Sequence, residues 1–271
     1  HIPAKGDNPL TFFSNFFSNF LRDLPVYLLS LPVLLMAFSV HESAHGLMAY
    51  KLGDPTARNL GRITLNPLKH LDPLGTICMI VAHVGWAKPV PIQPRNFRNP
   101  KRDMALTGAA GPLSNLCLAL LHIIVLRIVM LIGTSRWVDE TQAYHMAKLM
   151  GTDFTASVGF MIAALFLFLL YLGVVMNISL AIFNLIPVPP FDGSRIFYAF
   201  LPTKWYFSVM RYERYIMIAF LLLFALGALS GPLSWALSKV AYGLLYVFGL
   251  TSGEDAYALG WMLDYVQNLF A

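Results

Sequence analysis

Apolar residues run through this chain in long blocks rather than at the spaced positions of an amphipathic soluble fold. Between residues 24 and 50 the only acidic or strongly basic side chain is Glu42, and at ~1.5 Å per residue such a stretch crosses ~30 Å of hydrocarbon as a helix. Residues 104–132, interrupted by Arg127, and 156–186, where tyrosine is the only ionisable type, are long enough as well. Two further apolar stretches, 215–229 and 233–250, are separated by Ser230, Gly231 and Pro232 and predict a tight helical hairpin, whose second arm carries Lys239. The pattern predicts an all-α polytopic membrane protein with five to six transmembrane helices.

The shorter apolar pieces call for other placements. Residues 10–21 (LTFFSNFFSNFL) are too short to span and predict an interfacial segment. Residues 74–86 are apolar but equally short, with basic residues on both flanks, which fits a re-entrant or obliquely buried piece. Around it, residues 58–67 (RNLGRITLNP) and 86–94 (WAKPVPIQP) have proline and alternation that no helix tolerates, so they predict edge strands or loops at the membrane surface. The fold class therefore includes a re-entrant or extended membrane-associated segment around residues 55–98. No internal repeat and no separate polar stretch long enough for an appended domain is visible, so residues 1–271 predict one membrane domain: a core over 24–200, accessory helices over 205–250 and a tail over 251–271. The chain begins at His1 rather than Met, as one with an expression scar or a lost leader would, and shows no signal peptide.

Composition agrees with this outline. With 57% hydrophobic and 12% charged residues, the chain is neither disordered nor an ordinary soluble domain. Two cysteines, Cys78 and Cys117, lie inside apolar runs and read as packing residues, which excludes a disulfide scaffold. The net charge of +5 is concentrated in Lys51, Arg58, Arg62, Lys69, Lys88, Arg95, Arg98, Lys101 and Arg102, without the aromatic interleaving of a nucleic-acid surface. That cluster reads as positive-inside topology, with both flanks of residues 74–86 toward the cytoplasm. The first span then runs inward, 104–132 outward and 156–186 inward. A loop over 133–155, with two basic against three acidic residues, falls outside, whereas Arg195, Lys204, Arg211 and Arg214 follow the inward end of the third span. The tail from 251 fits poorly: it carries Glu254, Asp255 and Asp264 and no basic residue, yet this count places it inside, and a sixth span would reverse that.

The chemistry is concentrated in the first span. His41-Glu42-Ser43-Ala44-His45 has the H-E-x-x-H spacing, in which two imidazoles four residues apart face the same side of a helix and reach one metal ion, with Glu42 beside them as a base. With 7 His in the chain, chance produces this pattern only about 0.003 times in a sequence of this length. An ionisable group deep in a span costs about 2.5–3.5 kcal/mol and is seldom kept without a partner, and here three lie within one turn. His41 precedes Lys51 by ~15 Å of helix, so the site lies below the cytoplasmic headgroups and draws its water from that side.

A catalytic zinc takes three protein ligands and keeps one open position. Asp192 is the best third candidate. It follows Pro187, Pro189 and Pro190, which end the third long span and leave unwound backbone at membrane depth, a state tolerated where it lines a cavity. Spans one and three both run inward, so H-E-x-x-H and Asp192 emerge near the same face.

Together, His41-Glu42-Ser-Ala-His45, Gly111-Pro112-Leu-Ser-Asn115 and Asn184 through Gly193, with its Asn-x-x-Pro-x-Pro-x-x-Asp-Gly pattern, resemble the site-2 protease family of intramembrane zinc metalloproteases. The resemblance covers residues 31–198, and the absence of room for a PDZ or CBS module points to the small bacterial or archaeal branch. It implies one Zn2+ per chain held by His41, His45 and Asp192, with Glu42 taking a proton from zinc-activated water and passing it to the leaving amine. It further implies regulated cleavage, from the cytoplasmic side of a cell membrane, of peptide bonds in transmembrane protein substrates. Asn184 is expected to hydrogen-bond the substrate backbone or oxyanion, and Asn115 to support the site or touch substrate. A transmembrane substrate hides its carbonyls in internal hydrogen bonds, so strand addition along the extended pieces is one way to hold it unwound.

Other ionisable residues carry less. His70 and His83 flank or lie within the re-entrant piece, from which either can approach the metal, but nothing in their spacing demands it. His122 and Arg127 share a span, Lys239 resembles Arg127, and His145 belongs to the outer loop. Gly108 and Gly111 make a small-x-x-small step that lets helices approach. Two other classes remain: a divalent-metal transporter, or a catalytically silent membrane metal-binding protein. Glu42 discriminates, because only a protease requires a base beside the metal.

Overall fold

The computed structural model describes residues 9–73, 75 and 87–269; the expected re-entrant piece, with Cys78 and His83, lies outside the described residues. Helix α1 (Pro9–Lys51) takes in both the first span and the expected interfacial segment, with no break between them. After a short α2 (Thr56–Asn59), single 3-10 turns at Pro67–Lys69 and Pro94–Asn96 punctuate the basic region. Then follow α3 (Pro100–Met150), α4 (Val158–Leu185), α5 (Asp192–Phe200), α6 (Thr203–Ala225), α7 (Ser230–Val247) and α8 (Gly253–Leu269). Three of these offer segments long and apolar enough to cross a membrane: Leu24–Lys51, Pro100–Gly133 and Val158–Leu185. They match the first three spans read from the sequence. The fold is all-helical, and α6 and α7 lack that combination of length and hydropathy.

Helix boundaries follow local chemistry. Asn99 caps α3 by accepting from Arg102 N, with Pro100 in the first turn, where no N–H is needed. Gly151, at φ 65°, closes the same helix in the left-handed conformation that glycine adopts without penalty. Ser157 caps α4 through Phe160 N at 3.1 Å, and the Glu140 carboxylate accepts from Ser157 N and Oγ.

Three expectations change. The loop expected over 133–155 is mostly helix, since α3 runs to Met150 and only a short link joins it to α4. What sustains this polar extension is distant in sequence: α8 lies along it, with His145 against Trp261 at 4.1 Å between ring centroids and Lys148 Nζ 2.6 Å from Asp264 Oδ2. The turn expected at Ser230–Pro232 falls earlier, at residues 226–229, and Ser230, Gly231 and Pro232 open α7 instead. Helix α7 lies on α4 and brings Gly249 beside the Arg127 guanidinium. Of the edge strands or loops expected over 58–67 and 86–94, the described residues take loops and short helical turns. Beside them, one antiparallel bridge among the described residues pairs Leu71 with Ala87, with a 2.8 Å hydrogen bond from Lys88 N to His70 O. Finally, the tail is ordered helix. Contacts with α3 advance together, from Arg127–Gly249 through His145–Trp261 to Lys148–Asp264, so α8 runs parallel to α3 and ends at the pole remote from His41.

The interior is built where α3, α4 and α8 meet, around Ile123, Met130, Phe160, Leu167, Ile178 and Met262. In lipid, apolar burial alone does not drive helices together, since lipid tails are as apolar as leucine. Close packing and polar ties of ~0.6–2 kcal/mol each must fix their register. The ties here converge on the first three spans at one depth.

Candidate metal centre

His41 and His45 stand one turn apart on α1, both almost fully buried, at 4% and 6% exposure, with ring planes nearly perpendicular. Prolines end α4, and the turn that follows delivers Asp192 as the first residue of α5. The three donor atoms form a triangle: His41 Nε2 to His45 Nε2 is 3.0 Å, and each nitrogen is 3.1 Å from Asp192 Oδ2. Helix α3 forms the back wall, and it approaches this closely because position 111 is glycine; a Cβ there would run into both imidazoles.

Hydrogen bonds on the far side of each ring decide what the triangle can hold. His45 Nδ1 lies 2.7 Å from the Thr107 carbonyl, an acceptor with no hydrogen to give, so Nδ1 carries the proton. His41 Nδ1 donates to Asn115 Oδ1. With both Nδ1 atoms protonated, both Nε2 lone pairs point at one another and at a carboxylate oxygen, an arrangement that repels itself unless a cation sits between them. Bonds of about 2.0–2.1 Å to a tetrahedral zinc put ligand atoms ~3.3 Å apart, so the triangle accepts such an ion with little spreading. The residues present fit a divalent metal. The Asp192 side chain is 23% exposed, which leaves one side of the triangle open while both imidazoles are sealed.

Glu42 does not join the triangle. Its Oε2 accepts from the backbone N–H of Val90 at 2.8 Å. Val90 lies between Pro89 and Pro91, so this is the sole N–H of a Pro-Val-Pro unit, and its side chain packs beside Gly46 one residue after His45. The buried Asp54 carboxylate anchors the same segment, accepting from Gln93 N and Asn96 Nδ2, each at 2.7 Å, and from Thr56. Burial alone would raise the pKa of Asp54, but these donors hold it below the ordinary carboxylate value. Arg62 spans the carbonyls of Lys88 and Pro89, and Ser43 exchanges hydrogen bonds with the backbone of Thr64. The basic region is thus tied to both sides of the H-E-x-x-H turn.

Residues 29–226 match the pattern of peptidase family M50. The chain belongs to that family. Its site-2 protease resemblance thereby holds, and the chain is similar to "Putative zinc metalloprotease YwhC" of Bacillus subtilis (strain 168), at 38% identity over 70% of this chain and 77% of the relative. It is also 28% identical to "Putative zinc metalloprotease Rip2" of Mycolicibacterium smegmatis, over 62% of this chain and 55% of that relative. No solved structure matches.

Within this M50 chain, the residues singled out from the sequence are distributed unevenly. His41, His45 and Asp192 converge, and Glu42 adjoins them. Asn115 is fully buried, with His41, Ala37 and Asn177 around its amide, which suits support of the site rather than contact with substrate. Asn184 donates to its own helix at Leu180 O, 2.9 Å away. His70 is tied to Thr64 O at 2.8 Å, His122 to Leu118 O at 2.7 Å, and His145 sits tilted against Trp261; none enters the triangle. Thr107 and Val90 act through backbone atoms, which sequence cannot signal. Asn177 had a legible signal, a lone amide in the middle of a span.

Proposed function

We propose that this chain is an intramembrane zinc endopeptidase that hydrolyses a peptide bond in or near the transmembrane segment of membrane protein substrates, within one membrane domain. The observation that carries the reading is the convergence of two Nε2 lone pairs and a carboxylate oxygen at 3.0–3.1 Å, one residue from a glutamate. His41, His45 and Asp192 are the ligands; zinc held there supplies Lewis acidity to carbonyl and water. Glu42 takes the proton of the attacking water and returns it to the leaving amine, with Val90 N–H holding Oε2 so that Oε1 is left for the proton. Asn184 keeps a second amide N–H for a substrate carbonyl.

The basic residues from Lys51 to Arg102 flank the site, which supports a cytoplasmic approach for water and a cell-membrane location of bacterial or archaeal type. The test is zinc analysis of detergent-purified protein together with cleavage of a peptide bearing a transmembrane segment. The native chain is expected to hold one zinc and cut. Glu42→Gln should hold zinc and not cut, and Asp192→Ala should lose both. A Glu42→Gln protein that still cuts would overturn the assignment of the base, and a native chain without zinc would overturn the whole reading.

A further inference from the structure

Asn177 is fully buried in the middle of α4 and touches neither the donor triangle nor the base. A primary amide placed in a span is costly unless both its ends are satisfied. Here both are: Asn177 Nδ2 donates to Gly173 O at 2.8 Å, and Asn177 Oδ1 accepts from Asn115 Nδ2 at 2.8 Å. Asn115 Nδ2 also reaches Ala37 O at 3.3 Å, and Asn115 Oδ1 accepts from His41 Nδ1.

The sequence of bonds has a direction. An asparagine side chain has nearly the same shape with its oxygen and nitrogen exchanged, so shape alone does not decide which end of Asn115 faces His41. If the amide faced His41 with its NH2, His41 Nδ1 would have to accept, the ring would carry its proton on Nε2, and the lone pair needed at the triangle would be gone. Two backbone carbonyls, which can only accept, oppose this: Ala37 O, at 3.3 Å from Asn115 Nδ2, and Gly173 O, which acts through shorter bonds of 2.8 Å. The Gly173 carbonyl obliges Asn177 to present NH2 toward Gly173 and oxygen toward Asn115. Asn115 must then present NH2 toward Asn177 and oxygen toward His41, and His41 must donate from Nδ1. The polarity set by the backbone acceptor on α4, together with the longer bond to Ala37 O, passes through Asn115 on α3 to a ring on α1.

We infer that Asn177 is a positioning residue for the metal site: through Asn115 it fixes the tautomer of His41 and keeps Nε2 free for the ion. The inference rests on the zinc reading given above. A plain structural role, polar glue between three spans, would also explain a buried Asn pair, but it would act on the stability of the bundle and not on the affinity of the ion.

The experiment measures zinc affinity of the full chain in detergent by competition with a chromophoric chelator, beside thermal unfolding with and without zinc. Asn177→Leu and Asn177→Ala remove the acceptor, and zinc affinity should fall about tenfold, the lower end of the range for groups behind a ligating histidine. The gain in Tm on adding zinc should shrink accordingly, and Co2+ spectra should change. Asn177→Asp, protonated at this buried position, can donate to Gly173 and accept from Asn115, so it should restore affinity to within about twofold of native. The double variant Asn115→Ala/Asn177→Ala should bind zinc no more weakly than Asn115→Ala alone. If Asn177→Leu does not accumulate, Asn177→Ala against Asn177→Asp carries the same comparison. Native affinity in Asn177→Ala, or a lowered metal-free Tm with an unchanged zinc increment, would overturn the positioning role while leaving the zinc site intact. A native chain that binds no zinc would instead remove the reading on which it rests.

Discussion

The backbone N–H of Val90 donates to Glu42 Oε2 at 2.8 Å, across 48 positions of sequence. The bond joins the carboxylate beside the metal triangle to a segment held by Asp54, Arg62 and His70. Val90→Pro deletes this donor while keeping the extended backbone its neighbours already impose. Cleavage of a transmembrane peptide should slow by about ten- to a hundredfold, the scale of loss when a catalytic group is misplaced by an ångström. Zinc content should stay native, because the ligands do not touch Val90. Turnover at the native rate would mean that Glu42 needs no such anchor.

Gly111 offers a sharper steric test. Its missing Cβ is what both imidazoles occupy, whereas a Cβ at Gly108 would lie 3.2 Å from Arg195 Cβ and from the Asp192 carbonyl. Gly111→Ala should therefore push α3 away from α1 and reduce zinc binding by more than tenfold, read by chelator competition. Gly108→Ala should cost less, since contacts at 3.2 Å ask the neighbours to give by only a few tenths of an ångström, whereas a Cβ at Gly111 would lie well inside the van der Waals limit of both rings. Equal effects would place the sensitive contact elsewhere.

How much of this was legible depended on how far apart in sequence the cooperating atoms lie. The pairing of His41 with His45 is local, a matter of helical period, and Asp192 came within reach once span parity placed the ends of two spans on one face. The helical state of 134–150 was not legible, because Thr134, Ser135, Arg136, Asp139 and Glu140 look like a loop until Trp261 and Asp264, over a hundred residues later, cover the helix. The clamp on residues 87–96 was hidden for a similar reason. Its proline pattern announces extended backbone but not that Asp54 and Glu42 supply its acceptors.

Asp54 gives the region a pH dependence with a definite sign. Its pKa in the folded chain lies below the ordinary value, so its stabilising contribution is complete above the unfolded value of ~3.9 and is lost as pH falls through the lower folded value. Unfolding monitored in detergent should show a decline in Tm below about pH 4, and Asp54→Ala should flatten that decline. The substitution removes the acceptor of the part-buried bonds from Gln93 N and Asn96 Nδ2, a loss of about 1 kcal/mol at neutral pH. Glu42 should then lose activity indirectly, as the Val90 segment loosens.

The course of α8 predicts the side on which that helix ends. Lys148 Nζ and Tyr144 Oη both reach the Asp264 carboxylate, at 2.6–2.8 Å, and Tyr265 packs edge-on to Phe160 at the start of α4. These partners lie at the pole away from Lys51 and Arg102, so the tail, which carries no Lys or Arg, sits opposite the basic cluster, as the positive-inside bias allows. Alkaline phosphatase fused after residue 271 should be active and a green fluorescent protein fused there dark. Lys148→Ala should loosen α8 only slightly, since an ion pair this exposed contributes ~0–1 kcal/mol, and should leave the reporters unchanged. The opposite reporter pattern would place the tail with the basic cluster, and α8 could not then lie along the far end of α3.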